Sequence, residues 1–119
     1  MARSQMLKGI LDGCILAIIQ NKEVYGYKLA EKLASYGFDD LSEGTIYPLL
    51  LRMEKQGLLQ STFKKSTSGP RRKYYRLSTE GEQKLLEFTK RWESLSKNVN
   101  HVLSHETKGA DSDETIEGK

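Results

Sequence analysis

Residues 41–77 read LSEGTIYPLLLRMEKQGLLQSTFKKSTSGPRRKYYRL, which predicts one helix, a turn and two short strands joined by a basic loop. Apolar residues at intervals of three and four mark the buried face of the helix: Ile46, Leu49, Leu50 and Met53. Ser42 is placed to cap the amino end, and Gly57 stands where the helical pattern stops. Pro48 costs the helix one backbone hydrogen bond, so we expect it in a loosened first turn.

The neighbouring segments complete a winged helix. Residues 25–36 predict a second helix, which ends at Gly37 and is linked to the first by only a few residues, as in a helix-turn-helix pair. The strands are predicted at about 58–64 and 73–77, and residues 66–70 between them have the composition of an exposed hairpin tip. A helix-turn-helix followed by a hairpin is a winged helix.

A further helix is predicted before this unit, over residues 5–20, and residues 21–24 predict a turn. Helix 5–20 carries apolar residues on more than one face, which is more than a small monomer usually buries. We therefore expect a second subunit to cover part of this helix.

The last helix is predicted from Ser78, its N-cap, to about His105. Its apolar residues follow an a/d heptad pattern: Leu85, Phe88, Trp92, Leu95, Val99 and Val102. Such a helix spans roughly 40 Å, so its far half needs a partner to pack on. We expect a homodimer formed through the first and last helices. From Glu106 onward there is no periodicity, and the composition favours disorder.

The predicted fold is therefore mainly α with a small β-hairpin. Residues 1–77 form a winged helix-turn-helix DNA-binding domain whose first helix also contributes to the dimer interface. Residues 78–105 form a C-terminal dimerisation helix, and residues 106–119 form a disordered tail.

Composition limits the classes of protein. The chain has 119 residues and a net charge of +3, but residues 1–105 alone hold 17 cations against 11 anions, a net of +6. The acid-free stretch 64–76 contains six of these cations, and such clustering suits a polyanionic partner. The single cysteine, Cys14, supports a reducing, cytoplasmic location, and the sequence contains neither an apolar run long enough to span a membrane nor a secretory signal.

The chemistry of these residue types favours double-stranded DNA as that partner. The amino end of helix 42–57 offers amides and partial positive charge to a phosphate, and Gly44 allows the DNA backbone to come close. Thr45 and Tyr47 can hydrogen-bond to phosphates or base edges, and Pro48 can contact a thymine methyl. Arg52 either reaches DNA or pairs with a nearby acid. Basic residues of the hairpin are placed to bind the flanking backbone: Lys64, Lys65, Arg71, Arg72 and Lys73. The alternative is a solvated basic hairpin without a ligand.

Other candidate sites are weaker. Trp92 occupies a heptad core position, where it either packs the dimer interface or forms a platform for an aromatic ligand. His101 and His105 are four residues apart but have no third ligand, so we expect solvated side chains and no metal. The Cys14 thiol lies on an apolar stripe typical of a core residue. No catalytic set or phosphate-binding loop stands out, so we expect neither an enzyme nor a cofactor.

The sequence resembles the PadR family of bacterial transcriptional regulators. The segments that carry the resemblance cover most of residues 6–82: Leu7–Ile19, YGYKL at 25–29, GTIYPLL at 44–50, RMEKQGL at 52–58 and GPRRKYYRLSTEG at 69–81. A single helix after the hairpin resembles the short-tailed subgroup, which includes multidrug-sensing repressors with a tryptophan pair at the dimer interface. Trp92 matches that position.

The resemblance implies a dimeric, cytoplasmic repressor that binds a two-fold operator and is relieved by a planar aromatic effector at the dimer interface. It adds Tyr25 to the DNA-contact candidates. The effector-contact candidates are Trp92, Phe88, Leu95, Ser96, Val99, Ile10 and Cys14. None of the residues around Trp92 is acidic, which argues against a cationic effector; these residues are Phe88, Leu95, Ser96 and Val99. A different class of function, a winged helix that serves only in protein–protein assembly, stays open.

Overall fold

The computed structural model describes residues 9–65 and 69–106, which contain four helices and three short strands. In chain order these are α1 (Ile10–Asn21), β1 (Val24–Tyr25), α2 (Gly26–Ser35), α3 (Glu43–Lys55), β2 (Leu59–Lys65), β3 (Arg71–Leu77) and α4 (Thr79–Glu106). This mainly helical arrangement with a small antiparallel sheet confirms the predicted winged helix followed by a long helix. The chain divides into two compact units, Met1–Leu86 and Glu87–Lys119.

The helix α3 has the ends that its sequence predicts. The Ser42 side chain accepts a hydrogen bond from the Thr45 amide at 3.2 Å, as an N-cap does. Past the other end, Gly57 adopts a φ of 83°, a conformation that glycine reaches without strain. The expected position of Pro48 is wrong, because it is the sixth residue of α3 and so lies in the second turn. The missing amide of Pro48 therefore falls inside the helix.

The three strands form an antiparallel sheet in the order β1-β3-β2. The hairpin β2–β3 pairs Leu59 with Leu77 at its base and Lys65 with Arg71 near its tip. The predicted turn at 21–24 is wrong at Val24, which pairs with Tyr75 as part of β1. A two-residue strand is too short to show an alternating pattern, so the sequence carries no clear sign of it.

The core of the first unit lies between α1, α2, α3 and the base of the sheet. Its buried apolar residues are Leu11, Ile15, Leu16, Ile19, Val24, Leu29, Leu33, Ile46, Leu50, Met53, Leu59, Tyr75 and Leu85. The predicted inner face of α3 is confirmed, with Leu49 only half-buried. Because Leu85 belongs to this core, the first turns of α4 are part of the same unit.

The backbone that connects the hairpin to α4 is closely packed. The Ser78 hydroxyl donates to the Gly57 carbonyl at 2.5 Å and accepts from the Gly81 amide at 2.9 Å, so Ser78 caps α4 as predicted. The Ser78 amide donates to the Leu58 carbonyl at 3.0 Å. A Cβ atom on Gly81 would lie 2.2 Å from that same carbonyl oxygen. Glycine is therefore required here by close approach of the backbone.

The ends of the other elements differ modestly from expectation. Helix α1 begins at Ile10, after Gly9 with a φ of 87°, and the predicted helical residues 5–8 lie outside the described chain. Helix α4 covers the predicted range and ends at Glu106. The remainder of the predicted disordered tail and residues 66–68 of the hairpin tip also lie outside the described residues. Within residues 9–65 and 69–106, no helix combines the length and apolar character needed to cross a membrane.

Candidate nucleic-acid interface

The amino-terminal half of α3 presents four of the predicted contact residues to solvent. Gly44, Thr45, Tyr47 and Pro48 are all exposed, whereas Ile46 between them is fully buried. A Cβ atom on Gly44 would meet only the Ser42 hydroxyl oxygen, at 3.7 Å. The glycine is thus not required by packing within the chain. The first-turn amides and the partial positive charge of this helix end suit an anion such as a phosphate.

The guanidinium of Arg52 is already engaged within the protein. It forms a bidentate ion pair with Asp12 of α1, with nitrogen–oxygen distances of 3.0 and 2.8 Å. The hydrogen bonds from this pair raise the pKa of Arg52 above its ordinary value. Of the two roles open for Arg52, the ion pair is therefore the one that the structure contains. Its geometry ties the last turn of α3 to α1.

The register of β2 and β3 separates the hairpin residues into two faces. We call the face that contacts α3 the inner wing face; it comprises Leu59, Ser61, Phe63, Lys65, Arg71, Lys73, Tyr75 and Leu77. The opposite, outer wing face comprises Thr62, Lys64, Arg72 and Tyr74. The five predicted basic residues are thus divided between two surfaces.

Glu54 of α3 holds the inner wing face at its base. One carboxylate oxygen accepts from the Ser61 hydroxyl at 2.6 Å, and the other pairs with the Lys73 ammonium at 3.0 Å. The bond from Ser61 and the charge of Lys73 lower the pKa of Glu54, and the bond to Glu54 raises the pKa of Lys73. Lys73 is consequently half-buried and committed to positioning the hairpin against α3.

Aromatic rings support the cations of the outer wing face. Tyr25 and Tyr74 are paired across β1 and β3, with ring centres 5.2 Å apart in an edge-to-face arrangement. The Arg72 guanidinium lies 4.5 Å from the centre of the Tyr25 ring, a cation–π contact. The Lys64 ammonium lies 5.1 Å from the Tyr74 ring centre and also pairs with Glu23. The Tyr25 ring, which was predicted to contact DNA, therefore supports the side chain of Arg72 within the protein.

Apart from Tyr25, which is half-buried and contacts Tyr74 and Arg72, the predicted DNA contacts fall into two groups. Those with exposed side chains suited to an external ligand are Thr45, Tyr47, Pro48, Lys65, Arg71 and Arg72, together with Gly44. Those already held by a carboxylate within the chain are Arg52, Lys64 and Lys73. Sequence reasoning left an unnamed acid partner open for Arg52 and missed those of Lys64 and Lys73. None of the three acids, Asp12, Glu23 and Glu54, lies near its cation in the sequence.

The predicted effector contacts lie in both units. On the α4 segment of the second unit, Trp92, Leu95 and Val99 are exposed, whereas Phe88 and Ser96 are half-buried. Within the first unit, Ile10 and Cys14 are half-buried on α1, and burial raises the pKa of the Cys14 thiol. Cys14 also lines an open apolar groove of about 380 Å³ between α1 and α2.

The two histidines of α4 do not form a metal site with other residues of the described chain. Their ring centres are 4.4 Å apart, and Nδ1 of His105 lies 2.9 Å from the His101 carbonyl oxygen, within hydrogen-bond distance. Across residues 9–65 and 69–106, no group of three or more potential ligands is close enough to hold an ion.

A helix-turn-helix with a basic hairpin beside its second helix defines the winged-helix class of DNA-binding proteins. Comparison with known proteins narrows the class. A model of the "Transcriptional regulator PadR-like family" matches residues 15–87, more than half of the chain. The chain therefore belongs to the PadR-like family, whose members are DNA-binding transcriptional regulators and not enzymes.

Individual relatives agree with this assignment. The crystal structure of a PadR-like transcriptional regulator from Bacillus cereus is 54% identical, with a TM-score of 0.77, over 83% of this chain and 96% of that one. A PadR family transcription regulator from Clostridium difficile is 37% identical, with a TM-score of 0.72, over 80% of this chain and 99% of that one. A transcriptional regulator from Mycobacterium tuberculosis is 35% identical over 76% of this chain and 83% of its own length.

Proposed function

We propose that the protein is a homodimeric, sequence-specific repressor that binds a two-fold operator and releases it when a planar aromatic effector binds at the dimer interface. The observation that carries the DNA-binding part is that the amino end of α3 is exposed and that the hairpin held against α3 by Glu54 exposes the cations Lys65, Arg71 and Arg72. In this proposal α3 enters a major groove, and the wing contacts the adjacent backbone. The two subunits address half-sites about one helical turn apart.

The phosphate contacts predict a strong dependence of affinity on salt. Each phosphate contact that is lost lowers the slope of log affinity against log salt by about one. The test measures this slope for two double variants, Arg71→Ala/Arg72→Ala and the control Lys90→Ala/Lys97→Ala. The duplexes used are fragments of the source genome that were selected because the wild-type protein binds them. Lys90 and Lys97 are exposed on α4 at heptad positions opposite the apolar seam, so the control removes the same charge elsewhere.

Because the proposed dimer places two wings on one operator, the expected result is a slope reduced by about four for the wing variant and unchanged for the α4 variant. Equal slopes for both variants would refute the placement of the wing on DNA. If the wild-type chain bound no duplex at low salt but still captured a protein partner, the winged helix would serve in protein assembly instead.

Dimerisation through α1 and α4 is supported by apolar surface in each unit taken by itself. Trp92, Leu95, Val99 and Val102 are exposed on α4 at heptad spacing, and the α1–α2 groove is lined mainly by apolar side chains. Water-exposed seams of this kind are covered by association. Light scattering on Val99→Glu should report monomers. Asn100→Glu, which adds the same charge beside the seam, should remain dimeric.

The effector part of the proposal rests on Trp92, which exposes 43% of its surface and is flanked by the half-buried Phe88 and Ser96. Because Trp92 is the single tryptophan, its fluorescence reports directly on ligands that stack there. Titration with neutral planar aromatics should quench this fluorescence and lower operator affinity in parallel. Saturation of the quenching without any change in operator affinity would refute relief by an effector.

A further inference from the structure

One large apolar side chain of the wing has no role in the core. Phe63 lies on the inner wing face with 58% of its surface exposed, directly across β2–β3 from Lys73. The buried members of the same face, Leu59 and Tyr75, lie nearer the base of the hairpin. Packing within the described chain therefore does not account for a phenylalanine at this position.

The surroundings of the Phe63 ring are cationic. The Arg71 guanidinium lies 5.4 Å from the ring centre, and Lys65, paired with Arg71, is exposed beside it. The stretch 64–76 contains no acid, and the carboxylate of Glu54 at the base of this face is occupied by Ser61 and Lys73. An exposed aromatic ring among cations is complementary to a nucleic acid, which offers phosphates next to flat, apolar sugar and base edges.

The position of the ring favours one groove. Glu54 fixes the base of the inner wing face to α3, and Phe63 lies further along the hairpin on the same face. If α3 occupies a major groove, a side chain beyond it on the wing reaches the flanking minor groove. There, apolar side chains partly unstack deformable base steps, and a neighbouring arginine can bind the phosphates that line the groove.

We propose that Phe63 is a specificity-determining residue that packs into the minor groove flanking each half-site, with Arg71 beside it. This inference rests on the proposed DNA-binding function. Affinity then depends on the deformability of a base step that α3 does not contact. A pyrimidine–purine step such as TA is favoured there over a stiff A-tract or a G·C-rich step.

The test uses Phe63→Ala, Phe63→Tyr and Thr62→Ala in the full chain. Thr62 is the exposed neighbour on the outer wing face and serves as the matched control. Each variant is titrated with the selected duplex and with duplexes altered only at the flanking step, over a range of salt. Because Phe63 and Thr62 are both exposed strand residues, both alanine variants should remain folded and lose similar, small amounts of stability.

The expected result for Phe63→Ala is a loss of about a hundredfold in affinity, because the dimer loses one aromatic contact, worth about tenfold, at each of its two half-sites. Its salt slope should stay unchanged, and it should no longer distinguish the flanking steps. Phe63→Tyr and Thr62→Ala should behave as the wild type. Duplex binding by Phe63→Ala with wild-type affinity and flank preference would overturn this inference while leaving the proposed function intact. Failure of the wild-type chain to bind any duplex would overturn both.

Discussion

Replacement of Gly44 by alanine separates stability from DNA binding. The added methyl group meets only the Ser42 hydroxyl oxygen at 3.7 Å, an ordinary van der Waals distance, so it carries no steric cost. Alanine is favoured over glycine within a helix by about 0.5–1 kcal/mol. We therefore expect Gly44→Ala to increase the free energy of unfolding by up to that amount. The same methyl group would hold a phosphate away from the first-turn amides, so operator affinity should fall by about tenfold or more.

Two measurements on the same sample check this prediction. Denaturant unfolding gives the stability, and fluorescence anisotropy with a labelled selected duplex gives the affinity. Ser94→Ala, an exposed substitution on α4 that also improves helix propensity, is the control and should leave affinity unchanged. If Gly44→Ala bound the duplex as tightly as the wild type, the amino end of α3 would not approach the DNA backbone.

Three further substitutions test the contacts that hold the site together. Gly81→Ala should lower the free energy of unfolding by about 3 kcal/mol, because its Cβ would lie only 2.2 Å from the Leu58 carbonyl oxygen. Wild-type stability in denaturant unfolding would contradict this close backbone approach. Asp12→Asn should cost about 1 kcal/mol, the upper range for a partly exposed ion pair, and a stability unchanged in low salt would show that Arg52 is not held. Because the pKa of Glu54 is lowered in the folded state, its contribution to stability is complete above the ordinary carboxyl pKa and is lost as the pH falls through the folded value. The difference in free energy of unfolding between the wild type and Glu54→Gln should therefore shrink on acidification. A difference that stays constant with pH would refute the contacts of Glu54 with Ser61 and Lys73.

The elements that could be predicted from the sequence have local signals. Ser42 and Gly57 bracket α3 because a cap and a left-handed glycine act within one turn of the chain. The heptad pattern likewise predicted α4 nearly to its last residue. These features depend on neighbours three or four positions away, which the sequence displays directly.

The missed features depend on residues far apart in the chain. Arg52 pairs with Asp12 across 40 positions, and Lys64 pairs with Glu23 across 41. No local pattern indicates which acid a given cation will meet, so the sequence left an acid partner for Arg52 open without identifying it and gave no sign of one for Lys64. The strand β1 was missed for the same reason, because its two residues are held by pairing with β3.

The measurement that tests the central claim most directly is the mass of the protein–duplex complex by light scattering at low salt. A dimer that places its two recognition helices on one operator predicts two chains per selected duplex. It also predicts that the complex dissociates as salt is raised. A complex of one chain per duplex, or one that persists unchanged at high salt, would contradict the account.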